Sequence, residues 1–241
     1  MDVLSRCAVV IPCLNEAEHI GPLVRAVQSR VSAVIVVDDG SNDGTGELAA
    51  RAGAEVVRHE APKGKGAALH SGWLRAQERG FLWALTMDGD EQHSPEDIPA
   101  FLECAGAGRA ALIVGNRMET PGEMPWLRRQ VNRWMSRRLS GMAGRSFPDT
   151  QCGFRMIQLE ALARLNLGTS HFEIESEVIL AFATAGYPIE FVPIQVIYKS
   201  EASKIQPVRD TWRWFRWLFA NAGRGGAERH LRARKNIREP K

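Results

Sequence analysis

The chain contains 241 residues, of which 44% are hydrophobic and 24% are charged, and its formal net charge is only +3. These values are those of an ordinary soluble globular protein, for which one domain followed by a tail is the simplest organisation. No run approaches the roughly 18 apolar residues that cross a bilayer, and we expect no signal peptide at the amino terminus. The cysteines lack the paired C-x-x-C spacing of a zinc site, so we expect free thiols in a reducing compartment.

Short apolar runs alternate with helical patterns from residue 8 to about residue 115. In the first helical pattern, Ile20, Leu23, Val24 and Val27 recur at the spacing of one helix face. Four apolar runs, at residues 8–11, 33–37, 84–87 and 111–114, predict strands, and a further strand is expected at 55–57. This alternation predicts an α/β fold with a doubly wound, mostly parallel sheet flanked by helices.

Polar residues follow several of these strands at the points where the strands end. They are Asn15 and Glu16, Asp38 and Asp39, Asp88 and Asp90, and Arg117. In parallel sheets, ligands bind beyond the carboxyl ends of the strands, so these side chains should form a site. Asp88 and Asp90 could hold a hard divalent cation that in turn holds a diphosphate. Taken alone, an Asp-x-Asp sequence also fits a turn that closes a strand.

The second half of the chain contains two helical patterns that are rich in arginine. In the first, over residues 127–139, one apolar stripe is flanked by arginines on the remaining surface. The stripe is Leu127, Val131, Trp134, Met135 and Leu139, and the arginines are Arg128, Arg129, Arg133, Arg137 and Arg138. In the second, over residues 208–222, Trp212, Phe215, Leu218 and Phe219 could pack on the core or lie in the interface of an anionic bilayer. Between the two we expect a helix over 172–186 and a strand over 188–198.

Three motifs at the strand ends resemble those of one enzyme family. They are Ile-Pro-Cys-Leu-Asn-Glu at 11–16, Val-Val-Asp-Asp-Gly-Ser-Asn-Asp-Gly-Thr at 36–45 and Met-Asp-Gly-Asp-Glu-Gln-His at 87–93. Together they resemble family 2 of the inverting, nucleotide-sugar-dependent glycosyltransferases, whose fold is the Rossmann-like GT-A fold. Further motifs at 63–66, 115–117, 149–155 and 203–204 narrow the resemblance to the polyprenyl-phosphate, or dolichyl-phosphate-type, sugar transferases.

This resemblance implies roles for individual residues. The positions that match nucleotide-sugar-binding residues are Pro12, Leu14, Glu16, Asp39, Lys65, Asp88, Gly89, Asp90 and Gln92. Among these, Asp88, Asp90 and Gln92 match the ligands of Mg²⁺ or Mn²⁺, whereas Lys65 could equally lie in a solvated loop. Catalytic roles are implied for Asp90, Arg117 and Lys204, since the cation and Lys204 would stabilise the leaving nucleoside diphosphate. The candidates for binding the acceptor phosphate are Arg117, Arg128, Arg129, Arg133 and Lys199.

The chemistry of the acceptor decides which mechanism is needed. A polyprenyl phosphate is already an anion near neutral pH, so it needs orientation more than deprotonation. A hydroxyl group of a glycan or a small metabolite would need a carboxylate base, for which Glu175 and Asp149 are the candidates. With a phosphate acceptor, these two residues are expected to orient other groups or to support the fold. A non-catalytic membrane-surface module is the remaining alternative, although it would have no use for carboxylates at three strand ends.

The resemblance also suggests how the chain is divided and where it acts. We predict a catalytic GT-A domain over residues 1–206, an amphipathic Trp/Arg helix over 207–223 and a basic, mobile tail over 224–241. The enzyme should be cytoplasmic and peripheral on the cytoplasmic face of the membrane, with no nucleic-acid partner. One loop departs from the family pattern Arg-x-x-Gly-x-Ser-Lys, because Tyr198 and Glu201 replace its Arg and Gly. Lys199 is the nearest substitute for that Arg. The motifs specify neither the base, the sugar nor the oligomeric state.

Overall fold

The computed structural model describes residues 3–119, 122, 124–197 and 207–222. The strands are β1 (Cys7–Cys13), β2 (Val34–Asp38), β3 (Glu55–Arg58), β4 (Trp83–Thr86), β5 (Leu112–Asn116), β6 (Arg155–Gln158) and β7 (Ile189–Pro193). The helices are α1 (Ala17–Gln28), α2 (Thr45–Arg51), α3 (Lys65–Glu78), α4 (Ile98–Gly106), α5 (Trp126–Ala143), α6 (Leu159–Ala163), α7 (Ile174–Thr184) and α8 (Pro207–Ala222). The strands form one seven-stranded sheet in the order β3-β2-β1-β4-β6-β5-β7.

The direction of one strand distinguishes this sheet from a purely parallel one. The pairs β1/β2, β1/β4, β2/β3 and β5/β7 are parallel, whereas β6 is antiparallel to both β4 and β5. The prediction of a mostly parallel α/β sheet is therefore confirmed, and β6 and α6 are elements that the sequence patterns did not predict. Arg155, at the amino end of β6, pairs with Thr86 at the carboxyl end of β4. The loop before β6 thus reaches the edge where the parallel strands end.

The inner strands are buried on both faces of the sheet. Every residue of β2, β4 and β5 is buried, which explains why the sequence shows continuous apolar runs there instead of an alternating pattern. The predicted inner face of α1 is confirmed, since Ile20, Leu23, Val24 and Val27 are all buried. On α3, a Cβ atom at Gly72 would lie 2.3 Å from Val10 Cγ1. Glycine therefore allows α3 to approach β1 closely.

Helix α5 is oriented differently from what its apolar stripe suggests. Its buried residues are Asn132, Ser136 and Leu139. Leu127, in contrast, is 67% exposed and Val131 is 44% exposed. The predicted stripe is therefore divided: Leu139 belongs to the core, while Leu127 and Val131 lie on the protein surface. The inward face of α5 is partly polar because it contributes to the candidate site.

The remaining elements agree with the sequence patterns apart from their ends. The helix predicted over 172–186 is α7, and the helix predicted over 208–222 is α8. The strand predicted over 188–198 ends at Pro193, and Val196 then forms an isolated bridge with His93. The cysteines are all free thiols, as predicted. Within the described part of the chain, no helix combines the length and the hydropathy that crossing a membrane requires.

Candidate functional site

The site lies at the edge of the sheet where the carboxyl ends of the parallel strands meet. β4 ends at Thr86 and leads into a turn that contains Asp88, Gly89 and Asp90. A Cβ atom at Gly89 would lie 2.7 Å from Cys13 Sγ and 3.4 Å from Glu16 Cγ, so only glycine fits here. Because Gly89 is so close to the end of β1, the Asp88–Asp90 turn lies against Pro12 and Glu16. These are residues that the sequence assigned to the nucleotide sugar.

Hydrogen bonds from the motif at 36–45 connect the loops that follow β1 and β2. The Asp43 carboxylate accepts hydrogen bonds from the backbone N–H groups of Thr45 and Ala17, each at 3.0 Å. Asp43 therefore satisfies backbone donors at the first turns of both α1 and α2. The backbone N–H of Glu16 donates to Thr45 Oγ1 at 2.8 Å, and Ser41 N donates to Asp38 Oδ1 at 2.8 Å. The motif thus fixes the loops that follow both strands.

Asp39 organises the loop that leads to Lys65. Its carboxylate accepts hydrogen bonds from the backbone N–H groups of Lys63 (2.9 Å) and Gly64 (2.8 Å), and it lies 2.6 Å from His59 Nδ1. The other ring nitrogen of His59 lies 2.9 Å from Ser71 Oγ on α3. This buried carboxylate therefore holds the loop against α3. Next to it is a cavity of about 300 Å³, lined by Gly40, Ser41, Arg58, His59 and Glu60.

Lys65 is directed into the site, and its loop is not a freely solvated one. Its Nζ atom lies 2.7 Å from Asp88 Oδ1 and 2.7 Å from Glu175 Oε1, and its side chain is only 15% exposed. The neighbouring glycines permit this position. A Cβ atom at Gly66 would lie 2.7 Å from backbone atoms of Ser170. The Lys-Gly-Lys-Gly sequence therefore lets α3 begin close to the loop before α7.

Asp88 and Asp90 differ in their electrostatic surroundings. Burial by itself would raise the pKa of Asp88, but the charge and hydrogen bond of Lys65, with the charge of Arg117, lower that pKa to about 2. Burial and the negative charge of Asp88 instead raise the pKa of Asp90 to about 6. The backbone N–H of Gln92 donates to Asp90 Oδ1 at 3.1 Å. The negative charge of Asp90 is therefore not balanced by the positive charges around it.

This arrangement fits a hard divalent cation. No three His, Cys, Asp or Glu side chains cluster at metal-binding distances among the residues that the structure describes. The candidate ligands are instead two carboxylates, Asp88 and Asp90, together with the amide of Gln92, and oxygen donors of this kind suit Mg²⁺ or Mn²⁺. A bound cation would also stabilise the charged form of Asp90, which its surroundings in the protein disfavour.

His93, to which the sequence motifs assign no role, contacts the turn that contains Asp88. The backbone N–H of Asp88 donates to His93 Nδ1 at 3.3 Å, and the imidazole stacks on Phe154 with 5.1 Å between ring centroids. Burial lowers the pKa of His93 to about 4, so its ring is neutral at physiological pH. A neutral imidazole whose Nδ1 accepts a hydrogen bond carries its proton on Nε2. His93 therefore helps to set the backbone of Asp88.

A second charged cluster links β5 to the loop before β6. Arg117 Nε and Nη2 donate to the two carboxylate oxygens of Asp149, at 2.8 Å and 3.0 Å. Asn132 Nδ2, on the inward face of α5, donates to Asp149 Oδ1 at 3.1 Å. Burial opposes the charge on Asp149, but Arg117 and these hydrogen bonds lower its pKa below the usual value. Arg117, predicted to face phosphates, is thus held in place by a buried carboxylate.

Two residues that the motif analysis did not assign, Gly153 and Arg155, are also part of the site. A Cβ atom at Gly153 would lie 2.8 Å from Asp88 Oδ2 and 3.0 Å from Lys65 Nζ, so the carboxylate and the ammonium occupy that space. The guanidinium of the buried Arg155 donates to the backbone carbonyls of Cys152, Thr150 and Glu175. Both residues lie in the motif at 149–155, and an arginine within the apolar run Phe-Arg-Met-Ile is a further sequence signal at this position.

The other predicted acceptor residues are distributed along the chain. Arg128, Arg129 and Arg133 are half-buried on α5. The Nε of Arg129 is shielded from solvent and finds no hydrogen-bond partner within the described ranges. Lys199 and Lys204 lie outside the described residues, as does the tail over 224–241. The roles of these residues stay predictions.

Comparison with known proteins gives concordant matches. The model of "Glycosyl transferase family 2" matches residues 8–165. The undecaprenyl-phosphate mannosyltransferase of Micrococcus luteus is 32% identical over 80% of this chain and 84% of its own length. The dolichyl-phosphate hexose transferase of Haloferax volcanii is 32% identical over 83% of this chain and 86% of its own.

A solved structure shares the same fold. It is glucosyl-3-phosphoglycerate synthase from Mycobacterium tuberculosis in complex with Mn²⁺, UDP and glucosyl-3-phosphoglycerate. The alignment has a TM-score of 0.66 and 22% sequence identity, and it covers 90% of this chain and 78% of that one. At this identity, the likeness shows the fold alone.

Proposed function

Because the chain belongs to glycosyl transferase family 2, we propose that it transfers one sugar, with inversion, from a nucleoside diphosphate sugar to a polyprenyl phosphate. The donor is GDP-mannose or a UDP-sugar. The Micrococcus and Haloferax relatives, which are named for undecaprenyl-phosphate and dolichyl-phosphate acceptors, support a lipid phosphate as the acceptor.

The donor side of the reaction is supported by the residues around Asp88 and Asp90. Asp88, Asp90 and Gln92 would hold Mg²⁺ or Mn²⁺, which when bound neutralises charge on the diphosphate leaving group. Pro12 and Glu16 border this position, with Lys65 beside Asp88, and we assign Leu14 to the nucleoside as well. The cavity of about 300 Å³ next to Asp39 has the volume of a small ligand pocket, and we assign the nucleobase to it.

One observation carries the choice of a phosphate acceptor over a hydroxyl acceptor. Both carboxylates that could act as a general base are already paired with cations. Glu175 Oε1 lies 2.7 Å from Lys65 Nζ, and Asp149 receives two hydrogen bonds from the side chain of Arg117. Arg117 and hydrogen bonds lower the pKa of Asp149, which makes that carboxylate a weaker base than a free one, and Glu175 is engaged in its ion pair with Lys65. An acceptor that is already an anion needs no such base.

Arginines would orient this anionic acceptor. Arg117 is fixed by Asp149, and the Nε of Arg129 is a buried donor with no hydrogen-bond partner among the described residues, which a bound anion would satisfy. Arg128 and Arg133 lie on the same helix as Arg129. We further propose that Lys199 contacts the acceptor phosphate and that Lys204 closes over the diphosphate. Guanidinium and ammonium groups are suitable partners for phosphate oxygens.

The reaction can be tested with purified protein. The protein is incubated with Mn²⁺, undecaprenyl phosphate and labelled GDP-mannose, UDP-glucose or UDP-N-acetylglucosamine, and the label is then extracted into chloroform. We expect a lipid-linked product with one of these donors and none with the Asp90→Asn variant. Transfer to a soluble hydroxyl acceptor with no lipid-linked label would favour the alternative transferase. Vesicle binding without transfer to any acceptor would favour the non-catalytic module.

Contact with a membrane surface is supported by the pairing of α5 with α8. The ring centroid of Trp134 on α5 lies 5.5 Å from that of Trp214 and 5.4 Å from that of Phe215, both on α8. Beside this junction, several large apolar side chains remain exposed on the two helices. They are Trp126 (72%), Leu127 (67%), Val131 (44%), Trp212 (60%) and Phe219 (73%). We call this surface the α5/α8 face.

The charges around the α5/α8 face match an anionic lipid surface. Helix α5 contains five arginines and no acidic residue. The guanidinium of Arg138 lies over the Trp134 ring, and that of Arg216 lies over the Trp212 ring. Aromatic rings beside arginines are suited to the interface between headgroups and acyl chains. The proposed enzyme would therefore be peripheral on the cytoplasmic face, where anionic lipids attract basic surfaces.

Sedimentation with vesicles tests this contact. Wild-type protein should sediment with phosphatidylglycerol vesicles more than with phosphatidylcholine vesicles. The double variant Trp126→Ser/Leu127→Ser should remain largely in the supernatant. Leu74→Ser is a matched control, because Leu74 is 57% exposed on α3, outside the α5/α8 face. Equal sedimentation of the double variant and wild type would contradict the proposal.

A further inference from the structure

A buried lysine lies between two carboxylates that belong to different elements. Lys65 Nζ, at the start of α3, is 2.7 Å from Asp88 Oδ1 after β4 and 2.7 Å from Glu175 Oε1 on α7. The Glu175 side chain is only 8% exposed, and the ammonium also lies 5.6 Å from the centroid of the Phe172 ring. An ion pair this well shielded is weakened little by solvent and salt. Glu175 and Asp88 therefore interact strongly through Lys65.

Glu175 is itself fixed by the fold. Its backbone carbonyl accepts a hydrogen bond from Arg155 Nη1 at 2.5 Å, and the same guanidinium donates to Cys152 O at 2.7 Å. Arg155 thus connects the first turn of α7 to β6 and to the loop before it. These bonds hold the backbone of Glu175, whose buried carboxylate lies 2.7 Å from the Lys65 ammonium.

Gly153 closes the opposite side of this arrangement. A Cβ atom there would lie 2.8 Å from Asp88 Oδ2 and 3.0 Å from Lys65 Nζ. The two charged groups thus occupy the space that a side chain at residue 153 would need. Asp88, Lys65 and Glu175 form a charged triad with one net negative charge, held in one geometry by three different elements.

We infer that Glu175 is a positioning residue of the donor site, which acts through Lys65. By holding the ammonium and neutralising its charge, it leaves the Asp88 carboxylate oriented and available to a divalent cation. Without Glu175, the Lys65 charge would be balanced by Asp88 alone, and the cation would meet a neutral pair in place of a net negative charge. This inference rests on the proposed metal-dependent donor site and gives a role to a residue that the comparisons leave unassigned.

The experiment measures the binding of Mn²⁺ alone, without nucleotide, from the electron paramagnetic resonance signal of the free ion. Glu175→Gln should weaken Mn²⁺ binding by about tenfold, because one negative charge close to a divalent ion is removed. The double variant Lys65→Met/Glu175→Gln removes one charge of each sign and should bind Mn²⁺ within about threefold of wild type. A purely structural role predicts the reverse order, with the double variant the weaker binder. Thermal melts of each variant show whether it is folded.

The possible failures can be told apart. If wild type does not bind Mn²⁺, or if Asp90→Asn binds it equally well, the proposed donor site and this inference both fail. If Asp90→Asn loses binding while Glu175→Gln does not, only the inference fails. Excess Mn²⁺ should restore transfer by Glu175→Gln. A rate that stays low at saturating Mn²⁺ would mean that Glu175 acts as a base, which would overturn the positioning role.

Discussion

Replacement of Asp149 by alanine tests how much the buried Arg117–Asp149 pair stabilises the fold around the candidate site. Asp149 is fully buried and accepts hydrogen bonds from the backbone N–H, Nε and Nη2 of Arg117, from Asn132 Nδ2 and from Gln151 N. Its removal takes the carboxylate of this ion pair away from Arg117, a residue that is only 6% exposed. Breaking a buried pair in this way costs about 3–5 kcal/mol. That is a large part of the roughly 5–15 kcal/mol by which domains are stable.

Urea denaturation of the wild type and of Asp149→Ala at neutral pH measures this loss of stability. In thermal melts, the midpoint of Asp149→Ala should lie about 10 °C below that of wild type. Glu160→Gln is the matched control. It breaks the Arg164–Glu160 pair, whose side chains are 66% and 71% exposed, and should leave the free energy of unfolding unchanged within error. A loss below about 1 kcal/mol for Asp149→Ala would refute the reasoning that the buried pair is needed.

The same pair has a predictable pH dependence. Because the folded protein lowers the pKa of Asp149, the pair contributes its full stabilisation above the unfolded value of about 3.9. The contribution is lost as the pH falls through the lower pKa of the folded state. The difference in unfolding free energy between wild type and Asp149→Asn should therefore be constant from pH 7 to about pH 4 and shrink below that. A difference that grows in acid would contradict this assignment.

Three further predictions concern the donor site and α5. In EDTA at pH 7, Asp90→Asn should stabilise the fold by about 2 kcal/mol. The reason is that a pKa raised to about 6 makes the charged carboxylate of Asp90 unfavourable above that pH. A thermal midpoint of the variant no higher than that of wild type would contradict this. Leu139→Ala should lose about 2–5 kcal/mol in urea denaturation, since Leu139 is fully buried. Leu127→Ala on the same helix should change the free energy of unfolding little. Equal losses in Leu127→Ala and Leu139→Ala would indicate that the whole apolar stripe is buried. Gly153→Ala should weaken Mn²⁺ binding, because the added Cβ atom would lie 2.8 Å from Asp88 Oδ2. Gly141→Ala is the control, since no atom lies within 4 Å of its added Cβ. Unchanged Mn²⁺ binding in Gly153→Ala would show that the loop moves to accommodate the methyl group.

The alternating half of the chain was predictable because its signals are local. A strand buried on both faces must be apolar throughout, and an amphipathic helix such as α1 must repeat its apolar residues at helical spacing. The parallel order then requires the carboxyl ends of β1, β2, β4 and β5 to meet at one edge. The sequence alone was therefore enough to expect Asp39, Asp88 and Asp90 at a common site.

The reversal of β6 could not be predicted in the same way. Arg-Met-Ile-Gln is a short run with a charged residue, and its direction depends on pairing with β4 and β5, which are distant in the sequence. That reversal brings Gly153 and Arg155 to the site edge. For the same reason, the motif around residues 149–155 could be noticed in the sequence without its role in positioning Asp88 and Glu175 being visible.

The orientation of α5 was decided by the tertiary structure as well. Its sequence contains an apolar stripe, but Asn132 and Ser136 find buried partners in Asp149 and Thr150, so the polar side of the helix faces inward. Apolar periodicity therefore predicted the helix but not which side of it the protein buries. Similarly, the charge types at the site were present in the sequence, whereas their pairing was not. Only the fold places Lys65 between Asp88 and Glu175 and Arg117 against Asp149, because ion pairs form between side chains that are close in space and need not be close in the chain.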